Sequence, residues 1–216
     1  MGAKAARPLD ATPSSFPEFL GGRRSIRRYL PFPVARALVD SLLEAATTAP
    51  SAHNRQPWRF VVIERQSAKE KLARAMGERL RSDRLRDGDA PDVIEADVSR
   101  SFARITGAPL LVVVCLTMAD MDRYGDERRS RAEYLMAVQG TAMAAQNLLL
   151  AAHAAGLGAC WMCAPLFCPD AVASALGLAP DWEPQAIVTL GYPADSGKPF
   201  RRRPISEVTR HEDRET

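Results

Sequence analysis

Pro50-Ser51-Ala52-His53-Asn54-Arg55-Gln56-Pro57-Trp58 runs, one residue later, into the apolar stretch Phe60-Val61-Val62-Ile63. A proline-bounded turn dense in amide, hydroxyl and imidazole groups is thus delivered at the mouth of a strand. Groups placed this way suit the reading of a polar ring system by hydrogen bonds. Upstream, Arg23-Arg24-Ser25-Ile26-Arg27-Arg28-Tyr29 packs four arginines and a serine into six positions. Arg23 and Arg27 lie four apart and share a face whether the segment is helical or extended, and Arg24 and Arg28 share the other. A planar guanidinium can donate two parallel hydrogen bonds to one phosphate. A charge run alone is equally what a solvated basic patch looks like. The polar turn about twenty residues later is what shifts the reading toward a phosphate-bearing cofactor.

Working outward, residues 1 to about 15, rich in Ala, Pro and Ser, read as a loose arm. The chain divides into a flexible arm over 1–20 and a single domain over 21–216. Val34, Leu38, Leu42 and Ala45 are spaced for a helix over Val34–Thr48 that stops before Pro50. Phe60–Glu64 reads as a strand, Ser67–Arg81 and Ala90–Thr106 as helices, and Leu110–Leu116 as a buried strand. Ser130–Ala155 reads as a long apolar helix ended by Gly156. Gly158–Cys163 is a short strand, Pro169–Leu176 a helix and Ala186–Leu190 the last strand. Helices interleaved with strands fit a sheet covered on both faces.

Composition agrees with one compact domain: 216 residues, 46% apolar and 25% charged, long enough to bury roughly 70% of the unfolded surface. A net charge of +3 does not call for nucleic acid. No apolar run reaches the roughly 18 residues of a membrane span, and Met1-Gly2-Ala3-Lys4 does not open a signal-type stretch, so a cytoplasmic home is expected. Twenty-five of the 29 basic residues are arginine, which reads as genome bias.

At its two motifs the chain resembles the nitroreductase family of FMN-dependent oxidoreductases. The family pattern Arg-x-Ser-x-Arg/Lys-x-Tyr/Phe is matched by Arg23, Ser25, Arg27 and Tyr29. Its Pro-Ser-x-x-Asn-x-Gln-Pro-Trp is matched by Pro50, Ser51, Asn54, Gln56, Pro57 and Trp58. The likeness continues through Gly156–Met162 and Gly191-Tyr192-Pro193. It implies an α+β nitroreductase fold, a central mostly antiparallel sheet flanked by helices in three α-β-α layers. It also implies a homodimer with FMN at the subunit interface, the Pro50–Trp58 turn of one subunit meeting the Arg23–Arg27 segment of the other. Carried over residue by residue, the resemblance assigns FMN to Arg23, Arg24, Ser25, Arg27, Pro50, Ser51, Ala52, Asn54 and Gln56, with Trp161 and Met162 as walls. Related flavoproteins carry a Lys/Arg pair after Gly-Tyr-Pro that closes on the phosphate. The arginine two before a proline is Arg202, although Arg201-Arg202-Arg203 leaves the register open by one, and Lys198 is the weaker candidate. Hydride would pass through flavin N5 in ping-pong order, with NAD(P)H as one electron donor. No side-chain acid is demanded. His53 is a proton donor or only a turn-former, and no catalytic residue is named.

Arg81-Ser82-Asp83, Asp87-Gly88, Asp181-Trp182-Glu183-Pro184 and Gly158-Ala159-Cys160-Trp161 further resemble the C-terminal flavin domain of the bifunctional γ-glutamyl ligase of coenzyme F-420 biosynthesis. That resemblance implies reduction of a dehydro deazaflavin precursor, with Asp83 at the deazaflavin site; the sequence departs from it in showing no ligase domain, so a free-standing reductase is expected. The same segment is also what the solvated end of a charged helix looks like. The alternatives are a broad NAD(P)H-dependent nitro- or quinone reductase, a flavin or deazaflavin carrier without turnover, and a basic nucleic-acid-binding domain that lacks any recognition helix. Cys160-Trp161-Met162-Cys163 is formally a C-x-x-C, with Cys168 and His153 available to complete a zinc set. Residues three apart on a strand point to opposite faces, so buried structural thiols are expected and no metal.

Overall fold

Seven consecutive apolar residues, Leu110–Leu116, form a strand in which every residue is buried. Such a strand needs cover on both faces. The computed structural model, which describes residues 15–212, supplies it. In chain order the elements are α1 (Phe16–Gly22), α2 (Arg36–Thr47), β1 (Trp58–Ile63), α3 (Gln66–Arg86), α4 (Pro91–Thr106), β2 (Leu110–Leu116), α5 (Glu127–Ala154), β3 (Gly158–Met162), α6 (Pro169–Leu176) and β4 (Glu183–Gly191). The sheet order is β1-β2-β4-β3, antiparallel throughout. Side chains alternate across it. Leu110, Val112 and Val114 pack with Val39 and Leu42 of α2 and Ala145 and Leu148 of α5. Leu111, Val113 and Cys115 face Leu72 and Met76 of α3, Ile105 of α4 and Val172 of α6. The result is the expected three-layer α-β-α arrangement.

The differences from the sequence reading have local causes. Phe16–Gly22, which begins inside the stretch read as arm and runs past its end, is a short helix: Ser15 Oγ accepts the Glu18 N–H and Pro17 sits in the first turn, a start signal in its own right. The rest of that arm lies outside the described residues. Helix α3 runs on to Arg86 because ion pairs hold its last turns to the α4 side, Arg81 to Glu95 and Arg84 to Asp89 and Asp97. It stops only where Gly88 takes φ +85°. Helix α5 starts at Glu127 because the Asp126 carboxylate accepts the Arg129 N–H. Strand β4 begins at Glu183, three residues early, and its Pro184 is tolerated where the register with β2 shifts between Val114 and Cys115.

Among the described residues α5 has the length and apolarity to cross a membrane. It nevertheless lies along the sheet, and its small residues Ala137, Gly140, Ala144 and Ala145 let it approach closely. A Schellman turn ends it: Gly156 takes φ +72° and the Leu157 N–H returns to the Ala152 carbonyl.

Candidate functional site

The Arg23–Tyr29 segment is an extra ribbon on the β3 edge of the sheet. Ser25 bridges Ala159 in parallel, and the Ile26 N–H donates to the Ala159 carbonyl at 3.0 Å. Tyr29 then bridges Pro193, and the Leu30 N–H donates to the Tyr192 carbonyl at 2.8 Å. Glycines make this close approach possible. A Cβ on Gly158 would lie 2.7 Å from Ile26 Cβ, and one on Gly191 would lie 2.7 Å from Pro109 Cδ and 3.0 Å from the Tyr29 ring. The Tyr29 hydroxyl donates to the Ile26 carbonyl at 2.6 Å and meets the Thr189 hydroxyl at 2.7 Å. Burial holds it neutral well above the ordinary tyrosine range, against the smaller pull of the Thr189 hydrogen bond.

Backbone docking leaves the side chains free. Most arginines with a carboxylate in reach use it: Arg28 with Asp195, Arg55 with Asp122, Arg59 with Asp120, Arg79 with Asp170. Among the described residues Arg23, Arg24 and Arg27 have no such partner. Arg27 donates to the Ser25 carbonyl at 3.3 Å and to the Cys160 thiol. Arg23, Arg27 and Arg104 of α4 converge on Cys160: burial raises its thiol pKa, and these three cations oppose the rise. Arg23 and Arg24 likewise help burial lower the pKa of His153, which stacks on Phe19 at 5.0 Å.

The C-terminal cluster folds back onto this corner. Gly197, at φ +75°, sits where a Cβ would be 3.0 Å from Arg24 Cβ. Beyond it the Arg24 and Arg202 guanidinium carbons lie 4.3 and 4.0 Å from the centre of the Phe200 ring. Arg203 is drawn away toward Glu207. Of the triple arginine, Arg202 is the one that shares the Phe200 ring with Arg24. Lys198 is exposed in the same strap. Arg24 and Arg202 thus meet at Phe200 and Arg23 and Arg27 act on Cys160, cations suited to an anion, while the nearby Asp195 is taken up by Arg28.

The polar turn is built differently. His53, Asn54 and Gln56 take φ of 48°, 55° and 50°, left-handed values that cost non-glycine residues free energy. Side-chain and backbone fasteners hold it. Ser51 Oγ accepts the Gln56 N–H at 2.9 Å, and the Pro57 carbonyl accepts the Thr117 N–H at 2.8 Å. Arg55 pairs with Asp122, whose own N–H donates to the buried Glu133 carboxylate. Gly140 of α5 gives Ser51 and Pro57 room. Pro50 and Ala52 frame the turn, and the Asn54 and Gln56 side chains face solvent.

These two constructions occupy opposite corners. Ser25 adjoins Ala159, which stands opposite Leu190 and hence level with Leu110, whereas the turn ends at Trp58, opposite Leu116. Four strand steps of about 4.8 Å, from the ribbon through β3, β4 and β2 to β1, and six residues of about 3.4 Å separate them, roughly 28 Å along the diagonal. One chain cannot place both on a single flavin-sized molecule.

Trp161 and Met162 end β3 on opposite faces, each half-buried. Past Ala159 the described residues put no strand on β3's outer edge. Asp83 stands apart: it lies within α3, ion-paired with Arg86, and no described contact links it to the arginine corner. Cys115, Cys160 and Cys168 are buried, but Cys163 is exposed, a correction to the expectation of four buried thiols, and it accepts the Trp161 indole N–H. His153 pairs with Phe19 and Gly22 rather than with any cysteine. The sequence reading missed Arg104, which only the fold brings near Cys160, and Phe200. The signal for Phe200 was an aromatic ring set among Lys198 and Arg201–Arg203.

The Nitroreductase family model matches residues 20–192. An NADH dehydrogenase of Thermus thermophilus is 32% identical over 194 residues, covering 86% of this chain and 90% of the relative. A protein of Methanothermobacter thermautotrophicus, provisionally described as an NADH dehydrogenase/NAD(P)H nitroreductase, is 31% identical over 183 residues, covering 83% and 78%. Among solved structures, a protein of Desulfovibrio desulfuricans provisionally described as a nitroreductase, in complex with FMN, superposes with a TM-score of 0.71 at 28% identity, over 94% of this chain and 100% of that one. The arginine ribbon, the strained polar turn and the sheet between them therefore have their place in a known family: this chain belongs to the nitroreductase family.

Proposed function

We propose that this protein is an FMN-dependent oxidoreductase that draws electrons from NAD(P)H and delivers them to nitro- or quinone-type acceptors, as a homodimer with one flavin in each of two interface sites. The observation that carries this is the diagonal separation of two half-sites. The arginine corner is built for a dianion and the strained turn for a ring edge, yet one chain keeps them apart, so a second copy must bring its turn to the first copy's arginines. The outward face of α5, with Leu135 and Met143 exposed, offers apolar surface for that contact. The relatives named for NADH chemistry and the neighbour solved with FMN favour this reading.

The residues fit the cofactor. Arg23 and Arg27 hold unengaged donors for the phosphate, with Arg24 and Arg202 beside them. Asn54 and Gln56 present amides to the ring edge, with Pro50, Ser51 and Ala52 beside them shaping the turn. Trp161 and Met162 wall the slot along β3. FMN, when bound there, supplies a two-electron carrier on which donor and acceptor take turns. The surrounding cations favour the anionic reduced ring. A narrower role, reduction of a dehydro deazaflavin precursor of coenzyme F-420, rests on Asp83 alone, whose carboxylate is already engaged by Arg86. The broader reading is the better supported. Four free thiols suit a reducing compartment such as the cytoplasm.

Purified protein should be yellow and dimeric by light scattering, and its flavin should bleach on anaerobic addition of NADH or NADPH and recover with a quinone. A colourless monomer unresponsive to added FMN sinks the proposal. Tight binding of the oxidised deazaflavin coenzyme, weakened tenfold or more by Asp83→Ala, would shift it to the narrower role.

A further inference from the structure

We propose that Phe200 is a positioning residue for phosphate, a platform that holds Arg24 from one end of the chain and Arg202 from the other as a single anion clamp. The inference rests on the FMN reading and adds to it how the phosphate end is assembled. Both guanidinium carbons lie against the same ring, at 4.3 and 4.0 Å from its centre, well inside the roughly 6 Å over which a ring face attracts a cation. Arg24 commits Nη1 to the carbonyls of Gly21 at 2.6 Å and Arg23 at 3.0 Å, which fixes the guanidinium and leaves Nε and Nη2 to a ligand. Among the described residues neither Arg24 nor Arg202 meets a carboxylate, although their neighbours Arg28 and Arg203 face Asp195 and Glu207.

Two like charges on one ring repel, and the ring's negative face offsets only part of that. A dianion bridging the two at the ring's edge offsets the repulsion and satisfies the free donors. The ring has no other occupation among the described contacts: Phe200 is 42% exposed and belongs to none of the three core clusters. The strap reaches Arg24 because Gly197 folds tightly over the Ser25 carbonyl, and the Gly197 N–H is fastened to Asp195 at 2.8 Å. Phe200 therefore acts through the two arginines and touches no cofactor itself.

The test compares FMN with riboflavin, which lacks the phosphate, on the full-length protein and its Phe200→Leu and Phe200→Trp variants. Phe200→Leu should raise the FMN Kd about three- to tenfold, the scale of one or two cation–ring contacts, and leave the riboflavin Kd within about twofold. Phe200→Trp should restore FMN affinity. Equal losses for both flavins, or an unchanged FMN Kd, overturn the inference. Inorganic phosphate gives a flavin-free check: it should raise the parent's melting midpoint, and by less in Phe200→Leu. If the parent binds no flavin, the FMN reading fails by itself. A Phe200-dependent phosphate shift still upholds the clamp, and a shift that is absent or independent of Phe200 overturns it.

Discussion

The arginine ribbon and the polar turn are fixed by opposite means. The ribbon borrows rigidity from the sheet, hydrogen-bonded to β3 and pressed into glycine-lined grooves at Gly158 and Gly191. Its backbone is relaxed, and Arg23, Arg24 and Arg27 keep donors that no carboxylate among the described residues claims. The turn stores strain in three left-handed residues and spends side chains such as Ser51 and Arg55 on holding itself together. A phosphate, alike from every side, can be met by cations that approach from several directions. A ring edge needs donors aimed beforehand, and strain held by the scaffold is how a short turn aims them. Loss at the ribbon should therefore be electrostatic and ligand-specific, whereas loss at the turn should be geometric.

The largest effect is expected from removing a ribbon cation. Arg23→Ala deletes a charge-assisted contact without disturbing the fold, and should weaken FMN by about 1.5–3 kcal/mol, or roughly ten- to a hundredfold. Riboflavin binding should barely change. If riboflavin suffers as much as FMN, the ribbon is shaping the site rather than holding the phosphate.

Next comes the groove beneath the ribbon. Gly158→Ala sets a methyl 2.7 Å from Ile26 Cβ, and Ile26 is buried. The ribbon must lift or Ile26 must repack, at an expected cost of about 1–3 kcal/mol of stability, read by chemical denaturation. FMN content should fall with it. An unchanged denaturation midpoint would show that the ribbon is more loosely docked than its hydrogen bonds imply.

A smaller change, of opposite sign, is expected at the turn. His53 sits at φ 48° and ψ 25°, where glycine is at ease and histidine pays about 1–2 kcal/mol. Glycine's greater freedom when unfolded returns part of that. His53→Gly should leave stability equal or raised by up to about 1 kcal/mol while loosening the aim of Asn54 and Gln56. A fall in thermal midpoint would mean that the imidazole, not the backbone, is what the turn needs at this position.

What was legible in the sequence follows the same division. Period and punctuation placed Leu110–Leu116 and Pro169–Leu176 to the residue, because an unbroken apolar run and a Pro-to-Gly bracket are local signals. They misplaced the ends of α3 and α5, where ion pairs to α4 and an aspartate cap settle the matter. Both motifs were visible as residue types, but their diagonal separation was not, since it depends on strand order. Nor could Arg104 be assigned, because only the packing of α4 brings it toward Cys160. That Arg202 rather than Arg203 lies beside Arg24 on Phe200 depends on Gly197's turn and Glu207's claim on Arg203.

The smallest effect probes the hinge between ribbon and strap. Asp195 accepts Arg28 at 2.6 Å and the Gly197 N–H at 2.8 Å, and these two bonds, Arg28 first, hold its carboxyl below the ordinary aspartate range. A depressed folded pKa means that the stabilisation is fully present above the unfolded value, about 3.9, and is lost as pH falls through the folded value. Because the pair is largely open to water, with Arg28 79% exposed, the contribution should be about 0.5 kcal/mol or less. Asp195→Asn keeps one acceptor for Gly197 and removes the charge. The variant should melt slightly below the parent from pH 7 to pH 5, and the gap should close below about pH 4 as the parent's carboxylate protonates. A gap that persists to pH 2 would assign the effect to side-chain shape, and no gap at neutral pH would show that the strap is held by Phe200 and its two arginines alone.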